Sequence, residues 1–298
     1  MSSHSSPHPP RGASGLDAAS AWIPSAVLLS AAAACALGLA AESASPPPAT
    51  PARAVRARTP GRAVEIAGSG SNVPLTRALA RAWSAGRPER QAVVHESVGS
   101  GGGLRALRDG AVDIAMASRP LRPSEARGMR AVRYATTEVV LAANTGVRAR
   151  ALSPGALLEV LRGTRARWDD GSPLRFITRE AGDSSHLALA ARLPGFSEAE
   201  DGALRSRRFM MATSDDDLRD ALVETPGALG VTDLGGMRLH GRPLTRVALD
   251  LGAPVTKDLT LVFAARPRPE VEDFVTFARS PEGRALVRAS GYTAPEGP

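Results

Sequence analysis

Three times in this chain a short apolar strand runs into a Ser/Gly-rich turn and then into a helix with one apolar face. The turns are Gly68-Ser69-Gly70-Ser71-Asn72, Gly99-Ser100-Gly101-Gly102-Gly103 and Gly182-Asp183-Ser184-Ser185. Such a unit cannot bury its apolar surfaces alone, so a succession of them demands a sheet with helices packed on its faces. The pattern also says where a ligand would sit, because open α/β sheets bind ligands at the carboxyl ends of their strands.

The remaining periodicity agrees with this class. Ala63–Ala67 alternates as a strand and is followed by a helix carrying Leu75, Leu79, Ala82 and Trp83 on one face. Gln91–Glu96 reads as a second strand, Val112–Ala117 as a third and Glu138–Ala143 as a buried fourth, with a helix through Leu104 and Leu107 that ends at Gly110. Further on, Ser153 caps a helix over Pro154–Leu161, Leu174–Thr178 is a strand, and His186–Leu193 is helical. A helix over Asp215–Leu222 begins with Asp215-Asp216-Asp217, expected to be a solvated acidic end that suits the helix dipole. Pro226–Thr232 is a turn and short strand, Leu259–Ala264 a strong strand, and Glu270–Ala278 with Glu282–Ala289 the closing helices. The order is βαβα, which predicts an α/β fold.

Charge and composition exclude several functions. Basic residues exceed acidic ones by 37 to 30, but the Arg are scattered among Asp and Glu, and the chain has one Lys, Lys257. Electrostatic footprints on nucleic acid are clustered, so nucleic acid is not expected as a partner. Aromatic residues make up only 4% and leave no stacking platform for single strands. One Cys excludes a disulfide framework and any multi-cysteine metal site. The five His, at positions 4, 8, 95, 186 and 240, have no metal-ligand spacing. There is no Walker-type phosphate loop, and Lys257 lies far along the chain from every Gly run. A binding protein rather than an enzyme is expected, without metal or cofactor.

Residues 1–60 read as a leader and linker. Positions 22–41 carry no charged side chain, which suits an export signal or a membrane anchor, and a Pro/Ala/Ser-rich tract follows. Gly38-Leu39-Ala40 offers a small-x-small cleavage site, and Cys35 reads as a small apolar residue of the same segment. The mature chain is therefore expected in the periplasm or another extracytoplasmic space, cleaved from or tethered through residues 22–41.

The turns point to an anion. Helix N-termini present unbonded N–H groups and a partial positive charge, Gly permits close backbone approach, and Ser adds rotatable donors. Arg179, just before the third turn, supplies a guanidinium fork that matches a tetrahedral oxyanion.

Four blocks carry a family resemblance: G-S-G-S-N-V-P-L at 68–75, S-V-G-S-G-G-G-L-R-A-L-R-D-G-A-V-D-I-A-M-A-S-R-P-L at 97–121, R-E-A-G-D-S-S at 179–185 and P-G-A-L-G-V at 226–231. In this order they resemble the phosphate-binding subunits of bacterial ABC transporters over about residues 62–298. The resemblance implies a two-lobed, type II periplasmic-binding-protein fold with two hinge crossovers and a ligand cleft between the lobes. It implies lobe one over 61–142 plus 255–298, lobe two over 143–254, and crossovers near Ala143-Asn144 and Ala253-Pro254. It implies a monomer that captures phosphate or a related oxyanion and docks on a membrane permease. A sensor or structural module of the same fold that binds no anion is the alternative.

By the same resemblance Ser71 and Asn72 stand at the first-loop contacts, Ser100 with Gly101 at the second, Arg179 at the ligand Arg, and Asp183, Ser184 and Ser185 at the turn that follows it. The chain departs from the family twice. The Asp that accepts a proton from bound phosphate is replaced by Arg119, or by Ser118 under a one-residue shift, and the third turn carries the carboxylate of Asp183, which either faces the ligand or only caps its helix.

Overall fold

Alternating apolar side chains at Val64 and Ile66 make Val64–Gly68 (β1) the middle of a parallel trio, flanked by Ala92–Val94 (β2) and Ile114–Ala117 (β3). The computed structural model describes residues 62–296 of the chain; the leader, with its expected signal or anchor and Cys35, lies outside the described residues. Val73–Ser84 (α1) and Gly99–Arg108 (α2) connect the trio, and a short turn of helix, Pro123–Ala126 (α3), follows it.

Met129–Ala143 (β4) is the long strand of the molecule. Its second half, Val139–Ala143, is apolar and buried throughout, whereas Arg130 and Arg133 in the first half reach solvent. Sequence alternation therefore revealed only the apolar half. Beyond β4 come Ala151–Leu152 (β5), Pro154–Arg162 (α4), Arg175–Arg179 (β6), Ser184–Ala190 (α5), Phe196–Arg205 (α6), Met210–Ala212 (β7), Asp215–Glu224 (α7), Ala228–Asp233 (β8), Leu234–Leu239 (α8) and Thr245–Leu249 (β9). Thr256–Ala264 (β10), Pro269–Arg279 (α9) and Pro281–Ala289 (α10) close the chain. The expected elements are present, with ends shifted by a few residues. Helix α6 and strands β5, β7 and β9 had no sequence signal. Acidic residues fill α6 between its buried Phe196, Ala199 and Ala203, and the strands are short.

The strands form one sheet in the order β2-β1-β3-β10-β4-β8-β6-β7, with β9 lying between β4 and β5. Two crossings join its halves. β4 pairs antiparallel with β10 up to Glu138 and with β8 from Val139 onward. The hydrophobic cores divide at the same places. Val64, Ile66, Tyr134, Ala135, Leu259 and Phe274 belong to one, and Val139, Leu141, Val255, Leu157, Phe176 and Phe196 to the other. The chain thus passes between cores at Glu138/Val139 and again within 256–258, not at the expected Ala143-Asn144 and Ala253-Pro254. The reason is packing: Val139, Leu141 and Ala143 are covered by the second core although they continue a strand that starts in the first. The N–H of Val139 donates to the carbonyl of Val255 at 2.7 Å and ties the two crossings together.

The Gly run of the second turn has a packing cause. A Cβ on Gly103 would lie 2.6 Å from the Cα of Gly68 and 2.7 Å from the carbonyl oxygen of Ala67, so α2 sits on β1 only because both residues are Gly. Gly101 on the same helix has nothing nearer than 3.5 Å. Gly103→Ala is expected to destabilise the fold by about 1–3 kcal/mol through overpacking, whereas Gly101→Ala should be neutral or slightly stabilising. Urea denaturation of the two variants makes the comparison.

Candidate functional site

Lys257 lies on β10 within the second crossing, and only 6% of it is exposed. An ammonium has three N–H donors and no acceptor, so at this depth each donor needs a partner. The hydroxyls of Ser71 and Ser185, both at 2.6 Å, and of Ser184, at 3.0 Å, fill the three places. Ser71 comes from the turn after β1, and the other two open α5. The hydroxyl of Ser118, at the end of β3, donates to Ser184 at 2.7 Å and shares a 2.5 Å bond with Ser69. The N–H of Ser118 in turn donates to Ser100 at 3.3 Å. Strand ends from both halves thus deliver three hydroxyls to one ammonium, a fourth to its immediate neighbour Ser184, and two more to that fourth, Ser118.

Carboxylates close the far side. Asp215, first residue of α7, accepts from the hydroxyl of Ser71 at 3.2 Å and pairs with Nη1 of Arg179 at 3.2 Å. Its Oδ2 would lie 2.2 Å from a Cβ on Gly70, so the absence of a side chain there lets the carboxylate enter the first turn. Burial pushes the Asp215 carboxyl up, but Arg179, Lys257 and Arg219 outweigh burial and hold it below the usual carboxylate range. Arg179 directs Nε and Nη2 at Glu180, both at 2.9 Å, and Nη1 also approaches Asp183 at 3.4 Å. Asp183 caps its helix, one of the two alternatives expected of it, and also pairs with Arg179. Its Oδ1 caps α5 by accepting from the N–H groups of Ser185 and His186, and its other oxygen faces Arg179. Behind them Arg219 meets Asp216 at 2.6 Å and Asp233 at 3.8 Å. Burial raises the Asp233 carboxyl despite Lys257 and Arg219.

Of the residues singled out from sequence, Ser71, Ser184 and Ser185 meet at Lys257, with Ser118 and Ser100 one and two bonds further along the chain of hydroxyls. Arg179 and Asp183 join from the side through Asp215. Three lie apart from this cluster. Asn72 is fully buried and turns into the core, donating to Tyr134 at 3.2 Å. Arg119 is clasped by Glu125 through two 2.8 Å bonds that draw the carboxyl down to about 2, so its charge is spent at the rim. A side chain on Gly101 would meet only Arg105 and, at 4.0 Å, Arg119, so this position points away from the cluster.

Sequence reasoning missed Ser69, Asp215 and Lys257. Asp215 was expected to be solvated and is 3% exposed instead, because Arg179 from its own half and Ser71 from the other both bond to it. Lys257 had a readable signal. In a chain whose other basic residues are all Arg, a lone Lys marks a place where a compact ammonium is required. The described His side chains pair elsewhere, His95 with Glu65, His186 with Glu200 and His240 with Asp220.

The sequence model of the PBP superfamily domain matches residues 46–281. The chain belongs to the PBP superfamily. No curated protein matches it by sequence. Solved structures similar to this PBP superfamily chain share its fold. One, from Clostridium perfringens and described as a phosphate ABC transporter substrate-binding protein with bound phosphate, is 18% identical, with a TM-score of 0.68 over 79% of this chain and 100% of that one. The periplasmic molybdate-binding protein of Azotobacter vinelandii is 14% identical, with a TM-score of 0.59 over 78% of this chain and 100% of its own. OxyR of Corynebacterium glutamicum, with H2O2 bound, is 17% identical, with a TM-score of 0.53 over 79% of this chain and 70% of its own. The α/β sheet in two halves is thus the expected two-lobed periplasmic-binding-protein fold.

Two outcomes follow from the charge arrangement. Lys257→Met strands buried carboxylates without their cation and should cost about 3–5 kcal/mol in urea denaturation. Asp215, depressed in the folded state, stabilises the protein fully above the unfolded carboxylate value of about 3.9. That contribution is lost as pH falls through the lower folded value. Asp215→Asn should therefore flatten the fall of melting temperature below about pH 4, which thermal melts across acid buffers will measure.

Proposed function

We propose that this chain is an extracytoplasmic solute-binding protein that captures phosphate or a similar tetrahedral oxyanion for an ABC importer. The observation that carries the reading is the ammonium of Lys257, held at the crossing between the halves by hydroxyls that come from both. Rotatable hydroxyls beside a buried cation are what an oxyanion requires, because each Ser can turn its O–H from a neighbouring hydroxyl to the ligand without moving the backbone. The Clostridium structure with bound phosphate and the molybdate-binding protein of Azotobacter, both of the same fold, support the same class.

In this reading the crossings at Glu138/Val139 and 256–258 set the hinge, so lobe one ends at Glu138 and resumes after Asp258, rather than comprising 61–142 with 255–298, and lobe two lies between. Ser71, Ser100 and Ser118 approach the anion from lobe one, and Arg179, Asp183, Ser184 and Ser185 from lobe two, with Lys257 between. An anion that touches both lobes binds the closed form better than the open one and so shifts the population toward closure. Asp215 competes for Ser71 and Arg179, so the entering oxyanion must displace or outmatch a resident carboxylate. The carrier acts as a monomer, and its closed form docks on the permease. It binds its solute without transforming it.

A second reading is favoured by one observation, the saturation of Arg179 by Glu180, Asp183 and Asp215. A module that carries its own counter-anions needs no ligand, and would serve as a sensor or structural element of the same fold.

Titration calorimetry of the chain with inorganic phosphate separates the two. A carrier should release heat and gain thermal stability, and Ser118→Ala should weaken binding by about 1.5–3 kcal/mol, the scale of a hydrogen bond to a charged group. No heat and no thermal shift at millimolar phosphate would leave only the second reading.

A further inference from the structure

Beside the hydroxyl cluster lies a cavity of about 770 Å³, with Ser118, Ser184 and Lys257 in its wall. A tetrahedral oxyanion has five heavy atoms. Even at a water molecule's share of liquid volume for each, ~30 Å³, it would take up roughly 150 Å³, so an inorganic ion fills only part of this solvent-open space.

The rest of the lining carries the charges of Arg119, Arg133, Arg192 and Asp258 at its edges, and three separate segments set apolar side chains directly beside the anion donors. On α5 the first-turn Ser184 is followed by Leu187 and Ala188, three and four residues on, which a helix places on the same face. After β3, Ser118 is followed by Leu121. On the crossing, Lys257 shares its wall with Val255, two residues back and on the same side of an extended chain. Each segment therefore sets a polar anion donor beside an apolar side chain. Leu187 is 46% exposed, although the neighbouring Ser184 is 7% exposed and Leu189 on the opposite face is buried in the core. A leucine left in contact with water beside a buried ammonium is the surface that an amphipathic ligand would cover.

We infer that the ligand is an organic oxyanion: a monosubstituted phosphate or phosphonate whose charged head meets Lys257 and the hydroxyls, and whose apolar substituent lies along Leu187, Ala188, Leu121 and Val255. This rests on the reading of the cluster as an anion receptor and adds to it the identity of the body attached to the anion. Inorganic phosphate satisfies the donors but leaves Leu187 in water. An alkyl chain of several carbons covers it, and burial of each methylene adds affinity.

The test is calorimetric titration of the full chain with inorganic phosphate, methylphosphonate, butylphosphonate and hexylphosphonate. Affinity should rise along the series by about fourfold for each methylene buried, the factor that corresponds to ~0.8 kcal/mol. Leu187→Ser should lower the ratio of butylphosphonate to phosphate affinity. If phosphate binds and the alkyl chain brings no gain or weakens binding, this inference is overturned while the phosphate carrier stands. If neither phosphate nor any phosphonate binds, the anion receptor itself fails, and the inference fails with it.

Discussion

A single ammonium buried where the two cores meet sets the demands that the surrounding structure answers. A Lys at that depth needs three acceptors and a counter-charge. Ser71, Ser184 and Ser185 supply the acceptors, and Asp215 and Asp233 the negative charge within its electrostatic reach. Bringing those groups together requires the ends of β1, β3 and β6 to converge, and that convergence is why Gly68, Gly70 and Gly103 lack side chains. The glycines that resemble a phosphate cradle in sequence serve, in part, to bring protein groups close to one another.

The same site carries an internal tension. Three buried cations, Arg179, Arg219 and Lys257, face three buried carboxylates, Asp183, Asp215 and Asp233. Such a balanced set is stable without a guest, and a further anion must disturb it. Ligand binding then depends on the difference between what the guest gains from Lys257 and the hydroxyls and what Asp215 gives up at Ser71 and Arg179. A guest with more than charge to contribute has the advantage, and the apolar wall beside the cluster is suited to such a guest.

The class of fold was legible because periodicity and turn chemistry act locally: Val64–Gly68, Val73–Ser84 and Pro154–Arg162 each announce themselves within a few residues. The hydroxyl side of the site was legible for the same reason, since Ser71, Ser118, Ser184 and Ser185 end strands or open helices. The charged side was not. Lys257 is 186 residues from Ser71, and Asp215 is 144 from it, so nothing short of the folded sheet joins them. Asn72 misled because one turn of sequence offers two directions, and the phenol of Tyr134, buried below, attracts the amide inward. The boundary between the cores lies elsewhere than expected because an unbroken strand, β4, belongs to both and leaves no break in composition where one ends.

That shared strand has a mechanical consequence. β4 and β10 run side by side through both crossings and are bonded to each other there, so they form one two-stranded ribbon rather than two independent tethers. Lys257 belongs to that ribbon, so its ammonium is carried by the strand pair that both cores share.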